Sequence, residues 1–342
     1  MPAETCPRAS VVIPAYNAAG TLPACLAALA QQTLPSTDFE TIVADDGSAD
    51  NTALVAAGAG AGQVLRLSHR GPAAARNAGI AAARGEIILF TDADCKPAPD
   101  WLAQMLRPLD DPGVSGVKGS YKSNQQEVVA RLAQCEFEER YDRQARLPSI
   151  DFVDSYAAAF RARVLREVGG FNPAFPRANN EDVDLSYRLA ECGCRLVFNR
   201  QAVVYHRHVA SWRSYACLKA RRGYWRMAVY RLHPGKALQD SYTPQLLKLQ
   251  VLLVYLASGM ALLSILWPPL LGGTALGVAI LLLTTWPFTK LVARLDRPVA
   301  PWAPWFLVVR ACAFAAGVAA GLGAMLLGRP VLRSGRDGTE DG

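Results

Sequence analysis

The sequence predicts an α/β protein, a mixed and mostly parallel sheet with helices on both faces, followed by a C-terminal bundle of about three transmembrane helices. Three observations carry this reading. Short apolar runs alternate with helix-period stretches between Ser10 and Thr91, the pattern of consecutive βαβ units. Acidic or turn residues close three of those runs, at Pro14–Asn17, Asp45–Asp46 and Asp92–Asp94. Further on come charge-free stretches of 19, 20 and 18 residues, Leu249–Trp267, Leu270–Thr289 and Ala311–Gly328. Each is close to the roughly 20 apolar residues that cross a bilayer core.

The first strand is Ser10–Pro14 (SVVIP), ended by its proline. Thr21 stands as an N-cap before a helix with Leu22, Leu26 and Leu29 at helical spacing. Phe39–Ala44 is the second strand, and the Ala/Gly-rich stretch Ala53–Gly62 is weakly helical. Val64–Leu67 is the third strand, Ala73–Arg84 a helix, and Glu86–Thr91 (EIILFT) a fully buried strand. Later elements are strands at Ser115–Tyr121 and Asp151–Phe160 around a polar helix at Val128–Ala145. A helix at Glu181–Ala190 and a strand or pair of strands at Arg195–Tyr205 complete the α/β part. In such sheets ligands bind at the carboxyl ends of the strands, where the acidic turns lie.

Charge is unevenly spread. The chain carries +7, but Arg207–Lys248 alone carries +8, with nine Lys/Arg against Asp240. A basic block just before apolar spans fits anionic lipid on the cytoplasmic side rather than nucleic acid. Trp212, Tyr215, Tyr224, Trp225 and Tyr230 interleave with its arginines, without a clean amphipathic stripe. Eight cysteines without a CxxC pair, and no apolar leader, point to reduced thiols in a cytosolic domain.

Asp92-Ala-Asp94 places two carboxylates across a turn, able to hold a hard divalent cation with phosphate oxygens or, equally, to serve turn chemistry. Asp45-Asp46-Gly-Ser48 offers acceptors for the imide N–H of a uracil. The sequence has no GxGxxG after its first strand and no GxxxxGK[ST], which excludes the dinucleotide and P-loop readings. Asn179 or Asn180 as N-cap places Glu181 and Asp182 in a first helical turn, where a carboxylate complements the helix dipole or takes a proton.

In order, Val11–Asn17 (VVIPAYN), Asp45–Ser48 (DDGS), Gly71–Asn77 (GPAAARN), Thr91–Asp94 (TDAD), Gly169–Phe171 (GGF) and Asn180–Leu185 (NEDVDL) resemble the family 2 glycosyltransferases of GT-A fold, over roughly residues 8–206. The resemblance implies inverting transfer of a sugar from a nucleotide-sugar, most often a UDP-sugar, with Mg²⁺ or Mn²⁺. It places Pro14, Ala15, Tyr16 and Asn17 at the nucleoside, Asp45 or Asp46 on the uracil, and Arg76 near the nucleotide. Asp92 then faces the ribose or metal and Asp94 binds the metal. Asp182, of the Glu181-Asp182 pair, is the catalytic base. His206 stands where some members add a metal ligand; a membrane-interface histidine is an equal reading.

On this basis residues 1–206 are the catalytic domain and 207–245 a basic, aromatic membrane-interface segment. Spans follow at about 249–267, 270–289 and 305–328, and 329–342 is a polar tail. Ala313, Gly317 and Gly321, at four-residue spacing, predict close packing of the third span on another helix. A processive polymerase is disfavoured, since Arg221–Arg226 (RRGYWR) lacks the Q-x-x-R-W pattern. The expected protein is a multi-pass enzyme of the cytoplasmic membrane with a cytosolic catalytic domain, acting on a lipid-linked or membrane-proximal glycan acceptor. A polyprenyl-phosphate sugar synthase and a non-catalytic sugar-nucleotide-binding membrane protein are the alternatives.

Overall fold

In the computed structural model, residues 6–175, 180–236 and 243–327 are described. Asn179 and the tail at 329–342 fall outside them. The described chain divides into two units, residues 6–124 with 143–207, and residues 125–142 with 208–327. The stretch expected as one catalytic domain is therefore interrupted, because 125–142 group with the later helices.

The first unit is built on an eight-stranded sheet of order β3-β2-β1-β4-β7-β6-β8-β5. β1 (Ala9–Ala15) runs parallel to β2 (Phe39–Asp45) and β4 (Ile87–Phe90), and β2 parallel to β3 (Gln63–Arg66). Beyond β4 the sheet turns mixed: β7 (Ala158–Arg161) is antiparallel to β4 and to β6 (Val114–Lys122). β8 (Arg195–Tyr205) is parallel to β6, and the two-residue β5 (Lys96–Pro97) closes the edge antiparallel to β8. Every residue of β4 is buried, as a central strand covered on both faces requires. The strand expected over 151–160 is real only at its end; Ser155–Ala157 forms a 3₁₀ turn. Asp154, just before that turn, meets the buried Lys118 ammonium at 2.5 Å, so this backbone serves a charge pair rather than a ladder.

The helices of this unit are α1 (Leu22–Ala30), α2 (Thr52–Gly58), α3 (Pro72–Ala82), α4 (Trp101–Leu106), α6 (Ala162–Glu167) and α7 (Glu181–Glu191). α5 (Val128–Gln144) lies in the second unit up to Asp142. α3 approaches β1 closely because residue 79 is glycine: a Cβ there would lie 2.2 Å from Val12 Cγ1. That approach sets the depth of Arg76, one helical turn earlier.

The second unit comprises most of α5 together with α8 (Trp212–Leu232), α9 (Gln245–Leu263), α10 (Leu270–Leu283), α11 (Trp286–Leu295) and α12 (Ala303–Leu326). Three helical stretches are long and apolar enough to cross a membrane, Gln245–Leu263, Leu270–Leu295 and Arg297–Leu326. The second is interrupted between α10 and α11, where Pro287 sits in the first turn of the new helix. Lys290 and Arg294, which fall between the expected second and third spans, are helical. Leu249, Leu252, Leu256, Leu262 and Leu263 of α9 are exposed, a face that lipid rather than water would cover.

Within the basic segment, Trp212–Leu232 form one helix, α8, and its buried face explains why no apolar stripe is visible. Tyr215, Lys219, Gly223, Arg226, Ala228 and Val229 are its buried positions, and two of the six are cations. Two charges counted toward a lipid-facing surface are thus turned inward. The Lys219 ammonium lies 2.8 Å from both oxygens of Glu136 on α5, and the Tyr215 hydroxyl donates to the same carboxylate at 3.1 Å. Arg310 on α12 reaches Glu136 at 3.3 Å and donates to Gln250 on α9 at 3.1 Å; Gln250 donates to Thr284 at 3.0 Å. A continuous polar chain therefore threads the helices. Burial alone would raise the Glu136 carboxyl, but Lys219 and Arg310 outweigh it and hold the group well below the usual carboxylate range.

α8 packs along α12 at the small residues that the sequence spacing singles out. A Cβ on Gly317 would lie 1.9 Å from the Ala220 carbonyl oxygen, and one on Gly223 would lie 2.4 Å from that of Phe314. Gly317→Ala should lower thermal stability in detergent by the equivalent of about 1–3 kcal/mol, whereas Gly259→Ala, with open space at its Cβ, should cost nothing. Equal melting temperatures for the two variants would contradict this packing. Because the native Glu136 pKa lies below its unfolded value, its contribution is present above about pH 4.3 and lost as pH falls. Melting curves from pH 7 to 3 should show Glu136→Gln less stable at neutral pH and less sensitive to acid than the parent.

Candidate active site

The carboxyl ends of β1, β2 and β4 meet the N-termini of α3 and α7. At the end of β1, Pro14 and Ala15 are largely buried and Tyr16 is exposed. Asn17 turns the chain with φ +49°, a left-handed conformation that asparagine tolerates. Its side-chain oxygen accepts the Ala49 N–H at 2.9 Å, and its own N–H donates to Ser48 at 2.9 Å, which ties this turn to the Asp45–Ser48 turn.

The two aspartates ending β2 have different surroundings. Asp46 is buried and committed to the loop before α3, accepting the N–H groups of Arg70 and Gly71 at 2.9 Å each. Asp45 accepts Ser48 and lines a cleft of about 220 Å³ with Ser48, Asn51, Arg66 and Leu67. Of the pair, Asp45 is therefore the one facing open space. His69, which sequence reasoning passed over, lies with Nδ1 3.0 Å from the Asp46 carboxylate and stacks its ring on Tyr16, centroids 4.3 Å apart.

Arg76 is the centre of the site. It is 3% exposed, donates to Glu181 at 2.8 Å and to Asp92 at 3.0 Å, and lies 5.4 Å from the Phe171 ring centroid. Burial alone would lower its pKa, but Asp92 and Glu181 overcome this and keep the guanidinium charged. Glu181 is buried against it, whereas Asp182, the next residue, is half-buried and opens the first turn of α7. The expected asparagine side-chain cap is absent among the described residues. Asn180 adopts φ +66° and makes no side-chain cap bond, because a left-handed residue aims its side chain away from the helix N–H groups.

Asp94 and His206, 112 residues apart, meet with His206 Nε2 2.8 Å from Asp94 Oδ2. The His206 ring also packs on Tyr121, centroids 4.8 Å apart. Burial acts to raise the Asp94 carboxyl, and the His206 hydrogen bond and charge win and lower it. Donor atoms of Asp94, Cys95 and His206 all lie within 4.8 Å of one another, the one such group of three among the described residues. This oxygen, nitrogen and sulfur set fits a divalent cation, whereas Asp92 is turned to Arg76. Cys95 carried no signal in the sequence beyond its place after the Asp92-Ala-Asp94 turn. Burial, with the nearby aspartates, pushes the Cys25 thiol up to about 12 and the Cys95 thiol well up, so both are neutral thiols here.

Residues 10–169 match the family described as Glycosyl transferase family 2. The chain is 32% identical over 237 residues to the pre-mycofactocin glycosyltransferase of Mycobacterium tuberculosis, covering 66% of this chain and 48% of that protein. It is 29% identical over 230 residues to the validoxylamine A glucosyltransferase of Streptomyces hygroscopicus, covering 57% and 54%. It thus spans about half the length of these relatives. The mannosyltransferase PcManGT of Pyrobaculum calidifontis, solved with GDP-Man and Mn²⁺, shares the fold at a TM-score of 0.59 and 21% identity, over 94% of this chain and 89% of that one. Residues 10–169 thus carry the family 2 glycosyltransferase match.

Truncating Arg76 to alanine strands the Glu181 carboxylate inside the protein, so unfolding should become easier by about 3–5 kcal/mol. The double variant Arg76→Met with Glu181→Leu should recover most of that loss. Chemical or thermal unfolding of the three proteins reads it out, and an unaltered Arg76→Ala melting point would contradict the bridge.

Proposed function

We propose that this protein is a membrane-anchored, inverting glycosyltransferase that moves a sugar from a nucleotide-sugar to a hydroxyl of a lipid-linked or membrane-proximal acceptor, in building a cell-envelope glycan or glycolipid. One observation carries it: Arg76 holds Glu181 inside and leaves Asp182 at the open first turn of α7. Asp182 is then the general base. As the acceptor oxygen bonds to the anomeric carbon, its proton passes to Asp182, and the bond from that carbon to the diphosphate oxygen breaks with the electron pair leaving on the nucleotide. The names of the relatives, and the GDP-Man and Mn²⁺ held by the mannosyltransferase, support a nucleotide-sugar donor and a divalent cation.

Tyr16 and Asp45 are the base contacts in this reading, with Pro14, Ala15 and Asn17 shaping the nucleoside pocket. Asp46 works indirectly, by fixing the loop that leads into α3. Asp94 and His206 would hold Mg²⁺ or Mn²⁺, which supplies Lewis-acid neutralisation of the departing diphosphate. Asp92 and Arg76 position this edge of the site. A UDP-sugar is the donor we assign first, on the family resemblance. The three apolar helices support a cytoplasmic-membrane location, and the exposed Arg213, Arg221 and Arg231 suit anionic lipid on the cytosolic side.

The test is Asp182→Asn beside Glu181→Gln in turnover and donor-binding assays. Asp182→Asn should keep donor affinity and lose roughly 10²–10⁴-fold in turnover. If it keeps its rate, the acceptor is an already ionised phosphate that needs no base, and a polyprenyl-phosphate sugar synthase replaces this reading. If Glu181→Gln alone abolishes turnover without loss of stability, the base is the other member of the pair.

A further inference from the structure

We propose that Cys95 is a third donor of the cation site, giving it a preference for thiophilic divalent cations over Mg²⁺; this rests on Asp94 and His206 forming that site. The geometry is specific. The Asp94 carboxylate sits between the two other groups, with Oδ2 2.8 Å from His206 Nε2 and Oδ1 3.9 Å from the Cys95 sulfur. The backbone makes this arrangement, since the Cys95 N–H donates to the Asp92 carbonyl at 3.0 Å and closes a turn that brings adjacent side chains to one point. Cys95 is fully buried while the Asp94 side chain is half exposed, so the sulfur floors the site and the carboxylate rims it.

A cation taking the place of the Asp94–His206 hydrogen bond would meet one oxygen, one nitrogen and one sulfur, all within 4.8 Å of each other. Mg²⁺ demands near-octahedral oxygen and gains nothing from sulfur. Imidazole and thiol suit zinc and its congener cadmium, whereas Mn²⁺, like Mg²⁺, is suited to carboxylate, carbonyl and water. Cys25, the neighbouring buried thiol, donates instead to the Asp92 carbonyl at 3.6 Å and is not in the group. When such a cation binds, the S–H bond breaks, a sulfur–metal bond forms, and the proton leaves to solvent.

The experiment uses full-length protein in detergent, stripped with a chelator, with the exposed Cys6, Cys192, Cys217 and Cys312 changed to serine throughout. Cd²⁺ is titrated while the ultraviolet sulfur-to-cadmium charge-transfer band and proton release are followed; Mg²⁺ binding is measured by calorimetry. With Cys95 present, Cd²⁺ should produce the band and extra proton release. Cys95→Ser, and Cys95→Ala should serine disturb the core, should abolish both and weaken Cd²⁺ roughly 10–100-fold, with Mg²⁺ affinity unchanged. Circular dichroism melts establish that each variant is folded. An undiminished band and affinity in folded Cys95 variants overturns the assignment. Asp94→Ala separates the two levels: if it leaves Mg²⁺ and Cd²⁺ binding intact, the cation site itself is misplaced. If it removes both while Cys95→Ser changes nothing, only the role of Cys95 fails.

Discussion

The site depends on one buried guanidinium. Arg76 projects from a helix held close to β1 by Gly79, and its nitrogens fix Asp92 at the end of β4 and Glu181 at the start of α7. These groups come from three separate parts of the chain, and two carboxylates in this space would repel without the cation between them. Removing Glu181 from the pool of available bases is as consequential as holding it. The adjacent Asp182 is left half-buried at the first turn of α7, so the two acids of the motif have different surroundings.

The helical unit is organised on a similar constraint with the signs reversed. There a single carboxylate, Glu136, gathers the Lys219 ammonium, the Arg310 guanidinium and the Tyr215 hydroxyl. Apolar helices can slide and rotate on one another at little cost, because any leucine face resembles the next. A buried charge with fixed partners admits one register. The near-contact of α8 and α12 at Gly223 and Gly317 adds a steric version of the same constraint.

The α/β architecture was readable because strand periodicity and terminal acidic turns are local signals. The boundaries of β8 and the identity of β4 as a central strand follow directly from their residue patterns. Three features were not readable. The grouping of residues 125–142 with the later helices depends on partners such as Asp296, 165 residues from Arg131. The buried face of α8 includes Lys219 and Arg226, cations that any hydropathy measure scores as solvent-facing. The approach of Cys95 to His206 requires β5 to pair with β8, Lys96 opposite Tyr205, a tertiary event invisible in spacing. Motif order did identify Asp94 and His206 as candidates, and the fold brings the two within hydrogen-bond distance.

The Glu136–Arg310 contact also sets an order of events during synthesis. The two residues are 174 positions apart, so at about 5–20 residues per second the carboxylate waits roughly 9–35 s for its last partner. Lys219 arrives earlier, from a helix that precedes every apolar span. The ribosome thus delivers a hydrophilic half-network first and completes it only when α12 has been made. A nascent chain stopped before Arg310 retains the motifs of the α/β sheet but leaves α5 without one of its partners, which couples maturation of the helical unit to synthesis of α12.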